Sequence, residues 1–236
     1  MIKILAIGNS FSQNATQWLE LLGGDLLVRN LYIGGCSLER HCLNAREDKS
    51  EYDFEESGAK CRPERISIKE ALALERWDFV TVQQCSGYSG KIETYYPYLP
   101  ELIGYVKRFS DAEIVFHQTW AYETGAAHPD FAFYDHDRKK MHEKILEVSR
   151  SVAEKEGLRL IRTGEAVEQL RRTQTFDPER GGLAITCDGF HLSVNYGRFL
   201  AACVWLKFFT GKLPAYLQKE DLSEPYRAIR EVIGAL

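Results

Sequence analysis

No stretch of this 236-residue chain stays apolar for anything near the roughly 20 residues that cross a bilayer, which excludes a membrane-spanning helix. Charge of one sign is not in excess either. With 30 Lys and Arg against 34 Asp and Glu, mixed along the chain, nothing marks a nucleic-acid surface, and no nucleic-acid or membrane partner is expected. The six cysteines, Cys36, Cys42, Cys61, Cys85, Cys187 and Cys203, form no C-x-x-C pair, so free thiols in a reducing compartment are expected, with one disulfide as the alternative. His117, His128, His136 and His142 lack the spacing of a metal-ligand set, and neither metal nor cofactor is expected. A basic segment leading into an apolar stretch and cleavage site is also missing, because the first strand opens at Ile2 or Lys3. The chain as it stands therefore reads as cytoplasmic, as would one trimmed of a secretion signal. Without repeats, low-complexity tracts or linkers, residues 1–236 read as a single domain, long enough to bury a core unaided.

What is present begins with Lys3-Ile4-Leu5-Ala6-Ile7-Gly8-Asn9-Ser10-Phe11-Ser12. Ile4 to Ile7 form an unbroken apolar run suited to a strand buried on both faces. Gly8 ends it, and Ser12 or Asn14 is expected to cap a helix running to about Leu22, stopped by Gly23-Gly24. Further strands are predicted over 26–33, 77–84, 113–117 and 158–161, with helices over about 67–76, 98–109, 134–156, 165–172 and 194–210. A charged, aromatic segment at about 46–65, carrying Ser57-Gly58, reads as a small exposed hairpin inserted near the mouth of a site. Alternating strands and helices predict a doubly wound parallel sheet, whose ligands bind at the strands' carboxyl ends. Ser10, Gly35, Gln84 and Trp120 all fall at or just past such ends.

A serine at a strand-to-helix turn lies beside free N–H groups and a positive dipole end, a place for a nucleophile, an anion or a plain cap. Near the other end stands Cys187-Asp188-Gly189-Phe190-His191-Leu192-Ser193. Asp188 and His191 are three residues apart, close enough for the carboxylate to hold one ring nitrogen while the other faces a partner. If that partner is Ser10, the three make a nucleophile, a base and an orienting acid. Gln83 and Gln84, where the third strand emerges, serve either the site or loop backbone.

A serine after the first strand, glycines after the second, amides after the third and D-x-x-H before a long helix resemble the block order of the SGNH (GDSL-like) hydrolases. The closest likeness is to the branch opening with Gly-Asn-Ser-Phe-Ser and ending with Asp-Gly-x-His-Leu-Ser. This resemblance implies a flavodoxin-like three-layer α/β sandwich around a five-stranded parallel sheet, without cofactor. It also implies that Ser10 is the nucleophile, His191 its base, Asp188 the residue that orients His191, and the N–H groups of Ser10 and Gly35 oxyanion donors. Such proteins supply a third donor from a Gly-x-Asn block; here Gln83-Gln84-Cys85-Ser86-Gly87 stands in its place. Gln84 is the expected substitute and Gln83 its rival, since strand alternation lets only one face the site. Trp120 and Tyr122 are candidates for lining an acyl or sugar pocket, or for packing.

The function implied is a serine esterase that removes acetyl or another short acyl group from a carbohydrate or similar polar alcohol. A lipid or thioester hydrolase is the rival within the same chemistry. A non-catalytic module holding an anion on the Gly8–Ser12 turn is the rival outside it. The oligomeric state is left open by the pattern.

Overall fold

The structure, a computed structural model, describes residues 1–23 and 25–236, so Gly24 of the expected helix stop lies outside the described residues; the helix expected to reach about Leu22 ends at Thr16, and a short 3-10 turn covers Glu20–Leu22. Its strands are β1 (Ile2–Gly8), β2 (Leu26–Tyr32), β3 (Asp53–Glu56), β4 (Ala59–Lys60), β5 (Phe79–Val82), β6 (Glu113–His117) and β7 (Arg159–Ile161). They form one sheet in the order β4-β3-β2-β1-β5-β6-β7. Neighbours from β2 to β7 pair parallel, whereas β3 and β4 are antiparallel. The expected five parallel strands are there, but the sheet is mixed and has seven.

In β1, Ile4 and Ala6 point into one core and Leu5 and Ile7 into the other, which is why the run is apolar without alternation. The helices are α1 (Ser10–Thr16), α2 (Leu38–Arg46), α3 (Ile68–Leu74), α4 (Tyr98–Phe109), α5 (Arg138–Glu156), α6 (Thr163–Arg171), α7 (Gly197–Thr210) and α8 (Glu224–Ala235). Residues of α1, α6, α7 and α8 fill the core on one face of the sheet, and those of α2, α3 and α4 fill the other. Helix α5 serves both, with Met141 and Ile145 in the first core and Val148 and Val152 in the second. Three layers result. Among the described residues, no helix is long and apolar enough to cross a membrane, and all six cysteines are free thiols.

Two helices are not anticipated by the periodicity. In α2 two polar residues, His41 and Asn44, are buried beside Leu38, Cys42 and Ala45, which blurs its apolar stripe. Helix α8 starts at Ser223-Glu224-Pro225, a recognisable opening, and buries Ala228, Ile229, Val232 and Ile233. The hairpin at 53–60 is only partly the exposed insertion expected: Tyr52, Phe54 and Glu55 are buried, because β3 pairs with β2 and extends the sheet. Gln13 of α1 donates to the Glu55 carboxylate at 2.6 Å and thereby ties the hairpin to the first helix.

Candidate active site

The turn after β1 is shaped by space more than by backbone freedom. A Cβ on Gly8 would lie 2.3 Å from Ser12 Oγ and 2.8 Å from Ser12 Cβ, so only glycine lets α1 fold back this tightly. The cap is Asn9, not Ser12 or Asn14. Its side chain accepts from the Phe11 N–H at 2.9 Å, while Ser12 Oγ accepts from the Asn9 N–H at 3.1 Å, a reciprocal capping box. Ser10 thus becomes the first residue of the helix, where an N–H has no intrahelical acceptor, and it stays partly exposed.

Asn9 also begins a line of hydrogen bonds along the carboxyl ends of all five parallel strands. Its Nδ2 donates to the Cys36 carbonyl after β2 at 3.0 Å, and its Oδ1 accepts from Gln83 Nε2 after β5 at 2.8 Å. Gln83 Oε1 meets His117 Nδ1 on β6 at 2.7 Å, and His117 Nε2 meets the Thr163 hydroxyl after β7 at 3.1 Å. Because an amide oxygen only accepts, His117 carries its proton on Nδ1 and accepts a hydrogen bond from the threonine hydroxyl on Nε2. A side branch leaves Ser12 Oγ, 2.7 Å from Asn30 Oδ1, and continues from Asn30 Nδ2 to Glu55 at 2.8 Å. Burial raises the Glu55 carboxyl above its ordinary value. Sequence reading missed this line, although the Asn9-x-x-Ser12 spacing is a capping signal in its own right.

Asp188 and His191 sit on a loop folded around the carboxylate. Asp188 Oδ1 accepts from the backbone N–H of Phe190 at 3.1 Å and of His191 at 2.7 Å, leaving Oδ2 to meet His191 Nδ1 at 2.6 Å. Burial would raise the Asp188 carboxyl, but these three hydrogen bonds outweigh it and hold the group below the usual carboxylate range. Gly189 has φ of +91°, and a Cβ there would meet Ala126 at 2.9 Å. The loop is pinned from three directions: Asn14 Oδ1 accepts from Leu192 N at 2.7 Å, Trp120 Nε1 donates to the Phe190 carbonyl at 2.8 Å, and Glu123 N donates to the Gly189 carbonyl at 2.7 Å. Asn14 lies one turn beyond Ser10, so the helix that begins with the serine grips the residue next to the histidine.

With Nδ1 held by Asp188, the nitrogen of His191 left for a partner is Nε2. Among the described residues, neither His191 Nε2 nor Ser10 Oγ has a hydrogen-bond partner, and the expected Ser10–His191 hydrogen bond is not made. Phe11, the residue after Ser10, has its ring centroid 6.2 Å from that of His191. The N–H groups of Ser10 and Gly35 also have no acceptor among the described residues, and Gly35 sits at φ of +62° in an exposed loop.

Four expected contributors do other work. Gln84 is buried with its amide N–H groups turned to the Thr94 carbonyl at 3.0 Å and hydroxyl at 3.1 Å, while its Oε1 accepts from Leu38 N and Cys85 N. It fastens the start of α2 to the loop after β5 and offers no oxyanion donor in this geometry. Gln83 is buried, with its amide spent on Asn9 and His117. Trp120 and Tyr122 are fully buried: Trp120 stacks on Phe11 at 4.1 Å, and Tyr122 pairs with the Ser86 hydroxyl at 2.8 Å, so both are packing. Among the described residues, no group of three or more His, Cys, Asp or Glu is arranged to hold a metal ion.

Two buried histidines give this edge a pH dependence. Burial pushes His117 and His41 down to about 3 from 6.5, so between those values the unfolded chain binds protons that the folded one refuses. Stability is therefore complete above pH 6.5 and is lost as pH falls toward 3, at roughly 1.4 kcal/mol per pH unit for each histidine. Urea unfolding between pH 7 and 4.5 should show this slope, and His117→Gln should reduce it by about one site's share. An unchanged slope in the variant would remove His117 from the account.

The sequence profile of the family described as Domain of unknown function (DUF4886) matches residues 3–220. No curated protein matches the chain. Among solved structures, a DUF4886 family protein from Bacteroides uniformis is 33% identical, with a TM-score of 0.86 over 99% of this chain and 93% of that one. A protein from Slackia heliotrinireducens, described as a proposed SGNH hydrolase, is 26% identical, with a TM-score of 0.58 over 89% and 99% of the two chains. An acetylxylan esterase from Geobacillus stearothermophilus shares the fold at 15% identity, with a TM-score of 0.54 over 87% and 93%. The three-layer architecture with its mostly parallel sheet is thus that of SGNH hydrolase structures.

Proposed function

The chain belongs to the DUF4886 family, whose description names no activity, and we propose that this member is a serine esterase acting on short acyl esters of a carbohydrate or similar polar alcohol. The observation that carries this reading is the Asp188–His191 pair at 2.6 Å, on a loop latched by Asn14 to the helix that Ser10 begins. A cap or an anion site would give that pair no task.

In the proposed reaction Ser10 Oγ attacks the ester carbonyl carbon as its proton passes to His191 Nε2. The carbonyl oxygen, now negative, is received by the N–H groups of Ser10 and Gly35. Collapse expels the alcohol, which leaves with the proton from His191, and water repeats the sequence on the acyl-enzyme to release the acid. The reaction requires Ser10 Oγ to come against His191 Nε2, and catalytic hydrogen bonds commonly tighten only once substrate is bound.

A short acyl group is favoured by what lies under the turn. Phe11 and Trp120 stack there fully buried, so the apolar surface a long chain would need is already covered. The acetylxylan esterase among the structural neighbours supports a sugar ester through shared fold alone. Hydrolysis of aryl acetate, butyrate and octanoate measures the acyl preference. The reading predicts kcat/KM for acetate at least about tenfold above octanoate, the scale on which a few methylenes change pocket binding. A preference for octanoate would point to a lipid or thioester substrate instead.

A further inference from the structure

We propose that the cleft of about 390 Å³ walled by Ser37, Glu39, Tyr88, Lys91, Glu93 and Phe133 binds the neutral sugar portion of the ester substrate. The ligand class rests on the esterase reading; the site itself rests on the cleft. Its size falls within the range of small-molecule sites. Ser37 in its wall is two residues past Gly35, on the loop that Asn9 holds through the Cys36 carbonyl.

The lining selects among ligands. Two carboxylates, Glu39 and Glu93, face one ammonium, Lys91, which already pairs with Glu93 at 3.5 Å, so an anion is repelled. Lys91 Nζ also lies 4.4 Å from the Phe133 ring centroid, so a cation already holds one face of that ring and repels a second, leaving only the other face to a neutral ligand. Phe133 is still 46% exposed, a costly placement for a ring in water, and Tyr88 packs beside it at 5.9 Å. The Tyr88 hydroxyl has no hydrogen-bond partner among the described residues, and the Glu93 side chain is 65% exposed. Flat apolar rings beside carboxylates and a free hydroxyl match a pyranose, whose hydroxyls donate to carboxylates while its C–H face lies against an aromatic ring. Gln84 forms part of the wall with its amide spent on Leu38, Cys85 and Thr94, so it shapes the cleft without binding in it.

Backbone amide chemical shifts recorded while the full chain is titrated with xylotriose, cellotriose, mannotriose and chitotriose test the site without needing turnover. At least one trisaccharide should shift Lys91, Glu93, Thr94 and Phe133, and Phe133→Ala should weaken that binding about tenfold. Phe133 is exposed enough for the variant to fold, which its amide spectrum will show, and Glu93→Gln gives a second probe expected to weaken binding. No shift with any of the four sugars, shifts confined to other residues, or affinity unaffected by both variants would overturn the assignment. A protein that binds a trisaccharide here yet hydrolyses no ester keeps the sugar site and loses the esterase reading.

Discussion

Replacing Ser10 by Ala is expected to lower the turnover of a short aryl ester by about 10⁴–10⁶-fold, and His191→Ala by a similar factor. The double variant should be scarcely worse than either single one. That non-additivity is the informative part: removing the nucleophile leaves the base nothing to activate, and removing the base leaves the hydroxyl protonated. Neither substitution threatens the fold much. Ser10 Oγ and His191 Nε2 hold no partner among the described residues, and the turn is maintained by Asn9 and Ser12. Steady-state kinetics on the four proteins of the cycle, with amide spectra as a check on folding, would decide it. Additive losses would mean that the two residues act separately.

Asp188→Asn should cost about 10³–10⁴-fold in kcat with little change in KM. Asn keeps an oxygen where Asp188 Oδ1 accepts from Phe190 N and His191 N, so the loop retains its form. It places an NH₂ where Oδ2 meets His191 Nδ1. Two donors cannot share that contact, so the ring is driven to the tautomer protonated on Nε2, which cannot take the serine's proton. Asp188→Ala would confuse this effect with loss of the turn itself. The isosteric change isolates proton placement, and a loss under about tenfold with native stability would show that Asp188 only supports the loop.

How far the sequence reveals these features depends on how local they are. Strand β6 and helix α4 match their expected bounds, and β1 stops at Gly8, because apolar run and periodicity are properties of short windows. Asp188 and His191 are legible as a pair because three residues and one turn hold them together. The line from Cys36 through Asn9, Gln83 and His117 to Thr163 is not, since its members follow five different strands and meet only once the sheet is assembled. For the same reason the expectation prefers Gln84 to Gln83 as the donor: alternation says that one faces the site, and only the fold shows that Gln84 turns toward Thr94. A hairpin at about 46–65 is legible, but the pairing of β3 with β2, which buries Glu55 beside Asn30, depends on contacts 25 residues apart.

The central claim is that Ser10 is a nucleophile activated by His191, and the most direct measurement is covalent. A fluorophosphonate probe incubated with the protein, followed by digestion and mass spectrometry, locates any activated serine. The account predicts a single adduct on Ser10, absent from Ser10→Ala and formed far more slowly in His191→Ala. No adduct on Ser10, with short esters left unhydrolysed by the unmodified protein, would contradict it and return Ser10 to the role of first residue in a capped helix.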